Sequence, residues 1–256
     1  MKQDDLTDQT RKIELALLSV INQQKIDLLY QGQYKLPSNQ LVGLEALCRI
    51  PSAPWGDVLP DQFIPVAEEI GLITQLERVV FKQIAINLPQ LLQRHPHLRI
   101  SINLSIRHVT APDFSSFIEG WLNALSESNI ERLDFEITET YFQLISPTVI
   151  DSLQRLRKRG VRIVMDDFGS GQSNLSRLHT LPFDVIKLDK QFARQIDHPI
   201  VRAIVKATVA LTQEFGIGLI AEGVETTSQA LSLQEAGCQL VQGYFFSRPH
   251  PIAHWL

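Results

Sequence analysis

The sequence predicts an α/β fold, a (β/α)8 barrel, because strand-like and helix-like patterns alternate along the whole chain. Eight apolar runs read as strands, and most are followed by a segment whose apolar residues recur at helical spacing. Repeated βα units of this kind form a parallel sheet with right-handed crossovers. The length of 256 residues fits one such barrel, which occupies about 250 residues. Polar or acidic residues stand at the ends of most of these apolar runs. The carboxyl ends of the strands converge at the mouth of a barrel.

The alternation alone leaves a second architecture open, a doubly wound open sheet. Closure into a barrel is preferred because it accounts both for the number of strands and for the functional groups at the carboxyl ends of the strands.

The chain is expected to begin with a helix, followed by two antiparallel strands. Residues 1–25 are assigned to an N-terminal helix or linker, since apolar residues recur there at helical spacing, and residues 26–256 are assigned to the barrel. Strands are predicted at 26–30 and 41–49. Only a turn separates them, with no room for a crossover helix, so the first strand is predicted to be antiparallel to the second.

Helices and strands then alternate to the end of the chain. A Pro-rich loop after Arg49 leads into helical segments at 61–70 and 73–94. The later strands are predicted at 98–104, 132–138, 161–166, 184–188, 217–222 and 239–245. The helices between them are predicted at 113–127, 148–159, 199–215 and 227–236, with a Gly-rich loop and a short helix before the strand at 184.

The composition is that of an ordinary globular protein, with 44% apolar and 20% charged residues. The net charge of −4 predicts no general affinity for nucleic-acid polymers, so an anionic substrate would be held by local groups. Cys48 and Cys238 are expected to be buried free thiols, although a pair is possible. The first residues lack the apolar core of a signal peptide, and no apolar run spans a membrane, so we expect a cytoplasmic protein without membrane insertion.

The strand at 41–49 carries two charged residues on one face. Alternate residues of a strand share a face, so Glu45, Leu47 and Arg49 point the same way. Near a barrel mouth, the carboxylate can bind a cation and the guanidinium can bind a phosphate. An ion pair between Glu45 and Arg49 fits the pattern equally well.

The next two strands end in an amide and an acid. The carbonyl oxygen of Asn103 can ligate a hard metal, or the residue can cap the element that follows. Glu136 falls where the other inward carboxylates fall. Glu139 lies beyond its strand, where it is better placed to position a loop or is simply a surface acid.

Asp166 and Asp167, followed by Phe168 and the glycines at 169 and 171, form the most specific motif. Consecutive strand side chains face opposite ways, so both acids can reach one centre only if the chain leaves strand geometry, which the glycines permit. Neighbouring acids at a strand end suit two divalent cations. The alternative is an acidic turn beside a glycine loop.

The last three strands also end in polar groups. Lys187, surrounded by carboxylates at the barrel mouth, can orient a water or balance the charge of the transition state. The alternative is a solvent-facing lysine that pairs with Asp189. Glu222 ends its strand, Glu225 lies just outside it, and Gln242 places a neutral amide on the last strand. Hard oxygen ligands without His or Cys favour Mg²⁺ or Mn²⁺ over zinc.

Taken together, these motifs resemble the EAL-domain family of bacterial cyclic di-GMP phosphodiesterases, which linearise cyclic di-GMP to 5′-pGpG. The resemblance runs from about residue 26 to residue 249. It is carried by Glu45-Ala46-Leu47 with Arg49, Asn103-Leu104-Ser105, Glu136-Ile137-Thr138-Glu139, Asp166-Asp167-Phe168-Gly169-Ser170-Gly171, Lys187-Leu188-Asp189-Lys190, Ala221-Glu222-Gly223-Val224-Glu225 and Gln242-Gly243-Tyr244.

The resemblance implies a TIM-like barrel whose first strand is antiparallel, and it implies roles for the site residues. The metal ligands would be Glu45, Asn103, Glu136, Asp166, Asp167 and Glu222. Lys187 would contact the attacking water, Gln242 would help hold the metal–water cluster, and Glu225 is counted with the catalytic set. Leu47 and Arg49 would bind substrate. Glu139 would position the loop after Asp167, a segment that would also form a homodimer.

The resulting prediction is a phosphodiesterase that hydrolyses cyclic di-GMP with two Mg²⁺ or Mn²⁺ ions per active site. A catalytically silent receptor of the same fold is the first alternative. Another metal-dependent barrel enzyme, such as an enolase-type lyase, is the second, since such lyases also combine strand-end acids with a lysine.

Overall fold

A closed barrel of eight strands forms the centre of the computed structural model, which describes residues 2–52, 56–139, 145–171 and 181–256. The strands in chain order are β1 (Asp27–Lys35), β2 (Gln40–Ser52), β3 (Gly56–Val58), β4 (Arg99–Asn103), β5 (Leu133–Thr138), β6 (Arg162–Phe168), β7 (Val185–Leu188), β8 (Gly218–Ala221), β9 (Leu240–Gln242) and β10 (His250–Pro251). All except β3 and β10 belong to the barrel. Because β1 pairs with both β2 and β9, the ring closes, and the open-sheet alternative is wrong.

The first strand is antiparallel to both of its neighbours in the barrel, as predicted, whereas the other barrel strands are parallel. It is longer than the predicted 26–30, since Gln31 and Gln33 continue the ladder. In this register Gln31 lies opposite Glu45, and Gln33 lies opposite Gln242. The antiparallel strand therefore brings amide side chains to the ends of β2 and β9.

Helices surround the barrel, and the longer ones lie close to the predicted positions. They are α1 (Lys2–Gln23), α2 (Pro60–Glu69), α3 (Ile73–Arg94), α4 (Ile106–Val109), α5 (Phe114–Asn123), α6 (Glu127–Ile130), α7 (Pro147–Lys158), α8 (Lys190–Arg194), α9 (Pro199–Glu214) and α10 (Thr227–Glu235). The short α4 and α8 were not predicted. The predicted helix at 113–127 is instead two helices, because the Ser126 side chain accepts a hydrogen bond from the Asn129 N–H and starts α6. The short helix predicted before β7 falls on 172–180, outside the described residues.

None of the helices that the structure describes is long and apolar enough to cross a membrane. Both cysteines are free thiols, as predicted, and Cys238 is buried while Cys48 is half-buried.

The barrel interior is layered. An apolar layer of Val164, Val185, Ile220 and Leu240 lies one pleat below the mouth, since each residue precedes a polar strand-end residue by two positions. At the opposite end of the strands, the buried Asp134 carboxylate accepts hydrogen bonds from Arg99 at 2.7 Å and from Arg162 at 2.5 Å. The apolar layer thus separates an ion cluster at the amino ends of the strands from the polar mouth.

The N-terminal helix belongs to the outer helical layer and packs against α2, α3 and β2. Ile13, Leu17 and Val20 are buried at helical spacing, whereas Leu15 lies on the other side of the helix and is 53% exposed.

The burial of α1 predicts that the Leu17→Ala variant is less stable by about 2–5 kcal/mol, because Leu17 is fully buried and its loss leaves a cavity. The matched variant Leu15→Ala removes an exposed leucine from the same helix and should change stability by less than about 0.5 kcal/mol. Urea unfolding measures both free energies. Equal stability of the two variants would show that α1 does not contribute to the folded unit.

Candidate active site

A single buried lysine is surrounded by acids at the mouth of the barrel. The Lys187 Nζ lies 2.7 Å from Glu222 Oε1 and 2.8 Å from Glu136 Oε2. It also lies 3.3 Å from oxygens of Glu45 and Asp166. The Lys187 side chain is 1% exposed, so these ion pairs are desolvated. The alternative of a solvent-facing lysine paired with Asp189 is wrong.

Strand register and pleat parity produce this convergence. Lys187, Glu136 and Asp166 belong to three different parallel strands, and each lies two residues above a residue of the barrel interior. Parallel strands of a closed barrel end at the same rim. Because all three side chains point into the barrel near this rim, they converge on one centre. Asn103 pairs with Glu136 in the β4–β5 register and lies at the same level.

Neutral amides complete the polar network around Glu45. One carboxylate oxygen of Glu45 accepts from Asn103 Nδ2 at 3.3 Å, and the other accepts from Gln242 Nε2 at 2.5 Å. Gln242 also donates to Gln31 Oε1 at 3.2 Å. Asn103 does not cap the next helix, because the Ser105 side chain accepts from the first turn of α4 instead.

The two adjacent acids reach the same region because the chain leaves strand geometry at Asp167 itself. Its φ of +56° is left-handed, a region that aspartate tolerates better than most residues. The β6–β7 register shifts between Met165 and Phe168, which marks a bulge. The glycine prediction is partly right, since Gly169 also has a positive φ of +88°, but the departure begins two residues earlier than the glycines suggest.

Three acids form a group that could hold a metal ion. Asp166, Asp167 and Glu222 each present a carboxylate oxygen, and these oxygens lie within 4.8 Å of one another. Two further oxygens in the mouth, Glu136 Oε1 and Gln242 Oε1, are buried without a hydrogen-bond partner in the described part of the chain. Buried acceptor oxygens need a donor or a cation, so the residues present fit an oxygen-preferring divalent metal.

The site has an excess of negative charge, which the pKa values reflect. Burial raises the pKa of Glu222 to about 8 and that of Asp167 to about 6. Burial and the neighbouring Glu45 carboxylate raise the pKa of Glu136 well above its ordinary value. Burial alone would also raise the pKa of Glu45, but Lys187 and the amides outweigh it and lower that pKa. Without a metal, protons must therefore occupy part of the cluster.

For the Lys187 pKa, the neighbouring charges outweigh the effect of burial. Burial alone would lower the Lys187 pKa, but the four carboxylates outweigh burial and raise it well above the usual value. Lys187 is therefore a permanent ammonium in the metal-free protein, a group that donates hydrogen bonds and accepts none.

Two cavities border the cluster, and Glu45 lines both of them; we call them the first and second lobe of the groove. The first lobe, of about 370 Å³, is lined on one side by Leu47, Asn103 and Asp167, and on the other by the first half of α2. The second lobe, of about 260 Å³, is lined by Gln31, Glu222, Gln242, Tyr244 and two basic residues of α8. Metal candidates and the floor of an elongated groove thus coincide.

The remaining predicted residues lie outside the acid cluster. Glu225 lies at the rim of the second lobe, outside the acid cluster, with Oε1 at 3.6 Å from Arg194. Arg49 is half-buried and donates to the Cys48 carbonyl at 2.8 Å, while the contacts described for Glu45 are with Lys187 and the amides. Glu139 Oε2 accepts a hydrogen bond from the Gly169 N–H at 2.9 Å, which is the contact that a loop-positioning role requires.

Comparison with known proteins identifies the family. A model of the EAL domain matches residues 14–249, nearly the whole chain. The chain belongs to the EAL domain family.

Similar EAL proteins are longer than this chain. It is 35% identical over 96% of its length to the cyclic di-GMP phosphodiesterase NbdA of Pseudomonas aeruginosa, and it covers 31% of that protein. It is 35% identical over 94% of its length to the oxygen sensor protein DosP of Escherichia coli, again covering 31%. The cyclic di-GMP phosphodiesterase RocR of P. aeruginosa is 33% identical over 97% of the chain, which covers 65% of it. The chain thus spans between 31% and 65% of the length of these relatives.

Solved EAL structures share the fold. A PaMucR phosphodiesterase in complex with c-di-GMP superposes with a TM-score of 0.87 and is 31% identical, with 95% of this chain and 99% of that chain covered. The EAL enzyme Bd1971, in a form bound to cAMP and cyclic di-GMP, gives a TM-score of 0.89 at 27% identity, with 98% and 69% covered.

Several residues of the candidate active site were not predicted from the sequence. Gln31 lies beyond the predicted end of the first strand at residue 30, whereas the strand continues to Lys35, so the contact of Gln31 with Gln242 was missed. Lys190 and Arg194 line the second lobe from α8. Their signal was present, since both follow the strand end at Lys187 within a few residues, as site residues in barrels often do.

A buried acid pair behind the first lobe was also missed. Glu77 accepts from the Ser105 N–H at 2.6 Å and contacts His108 Nδ1 at 2.6 Å, while Glu68 accepts from the Ser105 hydroxyl at 2.7 Å. These bonds fix the turn that follows Asn103. Both acids are buried by the packing of α2 and α3, which the helical spacing of these segments does not reveal.

The ion cluster predicts that metal-free protein carrying Lys187→Met is less stable than wild type by about 3–5 kcal/mol, because removal of the ammonium leaves buried carboxylates without a counter-charge. Guanidinium unfolding in the presence of EDTA measures the loss. Lys206→Met, at an exposed position of α9, is the control and should match wild type. Equal stability of both variants would contradict the view that Lys187 neutralises the cluster.

Proposed function

We propose that this EAL chain hydrolyses cyclic di-GMP to linear 5′-pGpG. The observation that carries the proposal is the desolvated lysine among four carboxylates, beside the Asp166, Asp167 and Glu222 group, at the floor of an open groove. The similarity to NbdA and RocR, both named cyclic di-GMP phosphodiesterases, supports the choice of substrate. A neutral or basic groove floor would favour simple anion binding, whereas an acidic floor requires cations to bring it and a phosphate together.

Charge balance supports two divalent cations. Glu45, Glu136, Asp166, Asp167 and Glu222 are five acids that face one ammonium, which leaves a formal charge of −4 when all are ionised. Two divalent cations would offset this charge, and Asn103 would add a neutral oxygen ligand to the five carboxylates. Bound Mg²⁺ or Mn²⁺ would activate a water and neutralise charge on the phosphodiester.

The chain's own residues would orient and restrain the reactants. Four carboxylates surround the three N–H groups of the Lys187 ammonium. With these carboxylates bound to cations, an N–H of Lys187 would be free to donate a hydrogen bond to a water in the mouth. Gln242 donates to Glu45 and fixes the direction of that carboxylate. Glu222 lines the second lobe and contacts the lysine, so it would be a ligand that also faces the substrate.

The outer residues would bind the dinucleotide. Leu47 presents an apolar surface in the first lobe, and Arg49, two residues farther along the same strand face, would pair with a phosphate. Glu225 at the rim of the second lobe would accept hydrogen bonds from a base edge or a water, and Glu139 would hold the loop that carries Asp167.

We also propose a homodimer through the loop and helix after Asp167, of which 172–180 lie outside the described residues, and a cytoplasmic location. The two free thiols support a reducing compartment.

The proposed reaction predicts that the purified chain with Mn²⁺ converts cyclic di-GMP to pGpG, as measured by chromatography of the products. Glu45→Gln should lower kcat/KM about 100-fold or more, because it removes a metal ligand and the partner of Gln242. Glu235→Gln, an exposed acid on α10, should leave turnover unchanged. Binding of cyclic di-GMP by wild type without any pGpG would instead identify a receptor.

The proposal of two cations predicts that the metal-free protein binds about two Mn²⁺ ions per chain. An equilibrium titration measures this number through the electron paramagnetic resonance signal of free Mn²⁺. Asp167→Asn keeps a residue that tolerates a positive φ but removes one charged ligand, and it should lower the number bound or weaken one site by at least tenfold. A stoichiometry of one in wild type would rule out the two-cation site.

A further inference from the structure

A short helix that is not part of the acid cluster contacts both of the loops that adjoin its metal candidates. α8 begins three residues after Lys187, and the Gln191 side chain Nε2 donates to the Gly169 carbonyl at 2.6 Å. The N–H of the same glycine donates to Glu139. Gly169, two residues after Asp167, is therefore held from both sides, by Glu139 through its nitrogen and by Gln191 through its oxygen.

The same helix turn is packed against the loop after β8. Gly223 follows Glu222 directly, and a Cβ there would lie 2.4 Å from Lys190 Cβ. On the other side, a Cβ at Gly169 would lie 2.5 Å from the Phe192 ring. Both distances are shorter than any real carbon contact, so the turn of α8 fits between the two loops without free space.

Through these contacts, one turn of α8 connects the chain segments next to three acids of the cluster. Asp166 and Asp167 lie at the end of β6, directly before the loop that Gln191 holds, and Glu222 belongs to the loop that Lys190 touches. We propose that Gln191 is a positioning residue for the metal site: its amide fixes the loop after β6 to α8, and this sets the distance from the two aspartates to Glu222. The inference rests on the proposed metal-dependent function.

The helix itself does not need this amide. The Asp189 carboxylate accepts from the Gln191 backbone N–H at 2.9 Å and caps α8, and the Asp189 N–H donates to the Phe168 carbonyl. A change in the Gln191 side chain thus leaves the start of the helix in place and removes only the bond to Gly169. The expected effect is therefore on metal affinity and not on folding.

The test compares Mn²⁺ dissociation constants of metal-free protein, measured by electron paramagnetic resonance without substrate. Gln191→Glu has the shape of glutamine but cannot donate to a carbonyl when ionised, and Gln191→Ala removes the donor without adding charge. Both should bind Mn²⁺ about tenfold more weakly than wild type, as expected when a residue that orients metal ligands is lost. Gln195→Glu adds the same charge at an exposed position one helical turn away and should bind as wild type does.

Two additional readouts separate positioning from general damage. The urea midpoints of all variants should equal that of wild type, and Gln191→Ala should lower kcat for cyclic di-GMP with little change in KM. Mn²⁺ affinity of both Gln191 variants equal to wild type, or an equal loss in Gln195→Glu, overturns the inference. If wild type binds Mn²⁺ but does not hydrolyse cyclic di-GMP, the proposed function fails, whereas the affinity comparison still decides the role of Gln191.

Discussion

The constraint on which the structure depends is the burial of several carboxylates at one end of a closed barrel. Four of them contact the Lys187 ammonium, which is therefore both the structural counter-charge of the mouth and the only basic group at its centre among the described residues. A cluster of this charge is not stable as ions without further cations or protons. The need for neutralisation is thus the same property that suits the site to bind metals and a phosphate.

The barrel places these groups with few special devices. Pleat parity and parallel register bring the strand ends to one level, and the antiparallel β1 adds Gln31 beside Glu45 and Gln242. Among the described residues of the acid cluster, Asp167 near the end of β6 is the one with a left-handed φ. Outside the mouth, Glu139 and Gln191 hold the loop that follows this residue, so the strained segment is supported on both sides.

Much of the fold and the inner site was predictable, for a local reason. Strand and helix periodicity is a property of short segments, so all eight barrel strands and the antiparallel first strand were placed from the sequence, and closure of the sheet is confirmed. Errors arose where a side chain overrides periodicity. The Ser126 cap begins a second helix where the spacing predicts one continuous helix. Gln31 continues a strand that was predicted to end at residue 30. The roles of Leu47, Arg49 and Glu225 stay predictions.

By itself, the sequence determined the order of strands and helices and the set of polar side chains at the strand ends, because alternation and spacing are encoded within each segment. Only the tertiary structure decided that Lys187 contacts four acids instead of Asp189, that Asp167 turns at a positive φ, and that α8 lies between the loops at Gly169 and Gly223. These features depend on distances between segments far apart in the chain. Such distances exist only once the barrel has closed and its helices have packed.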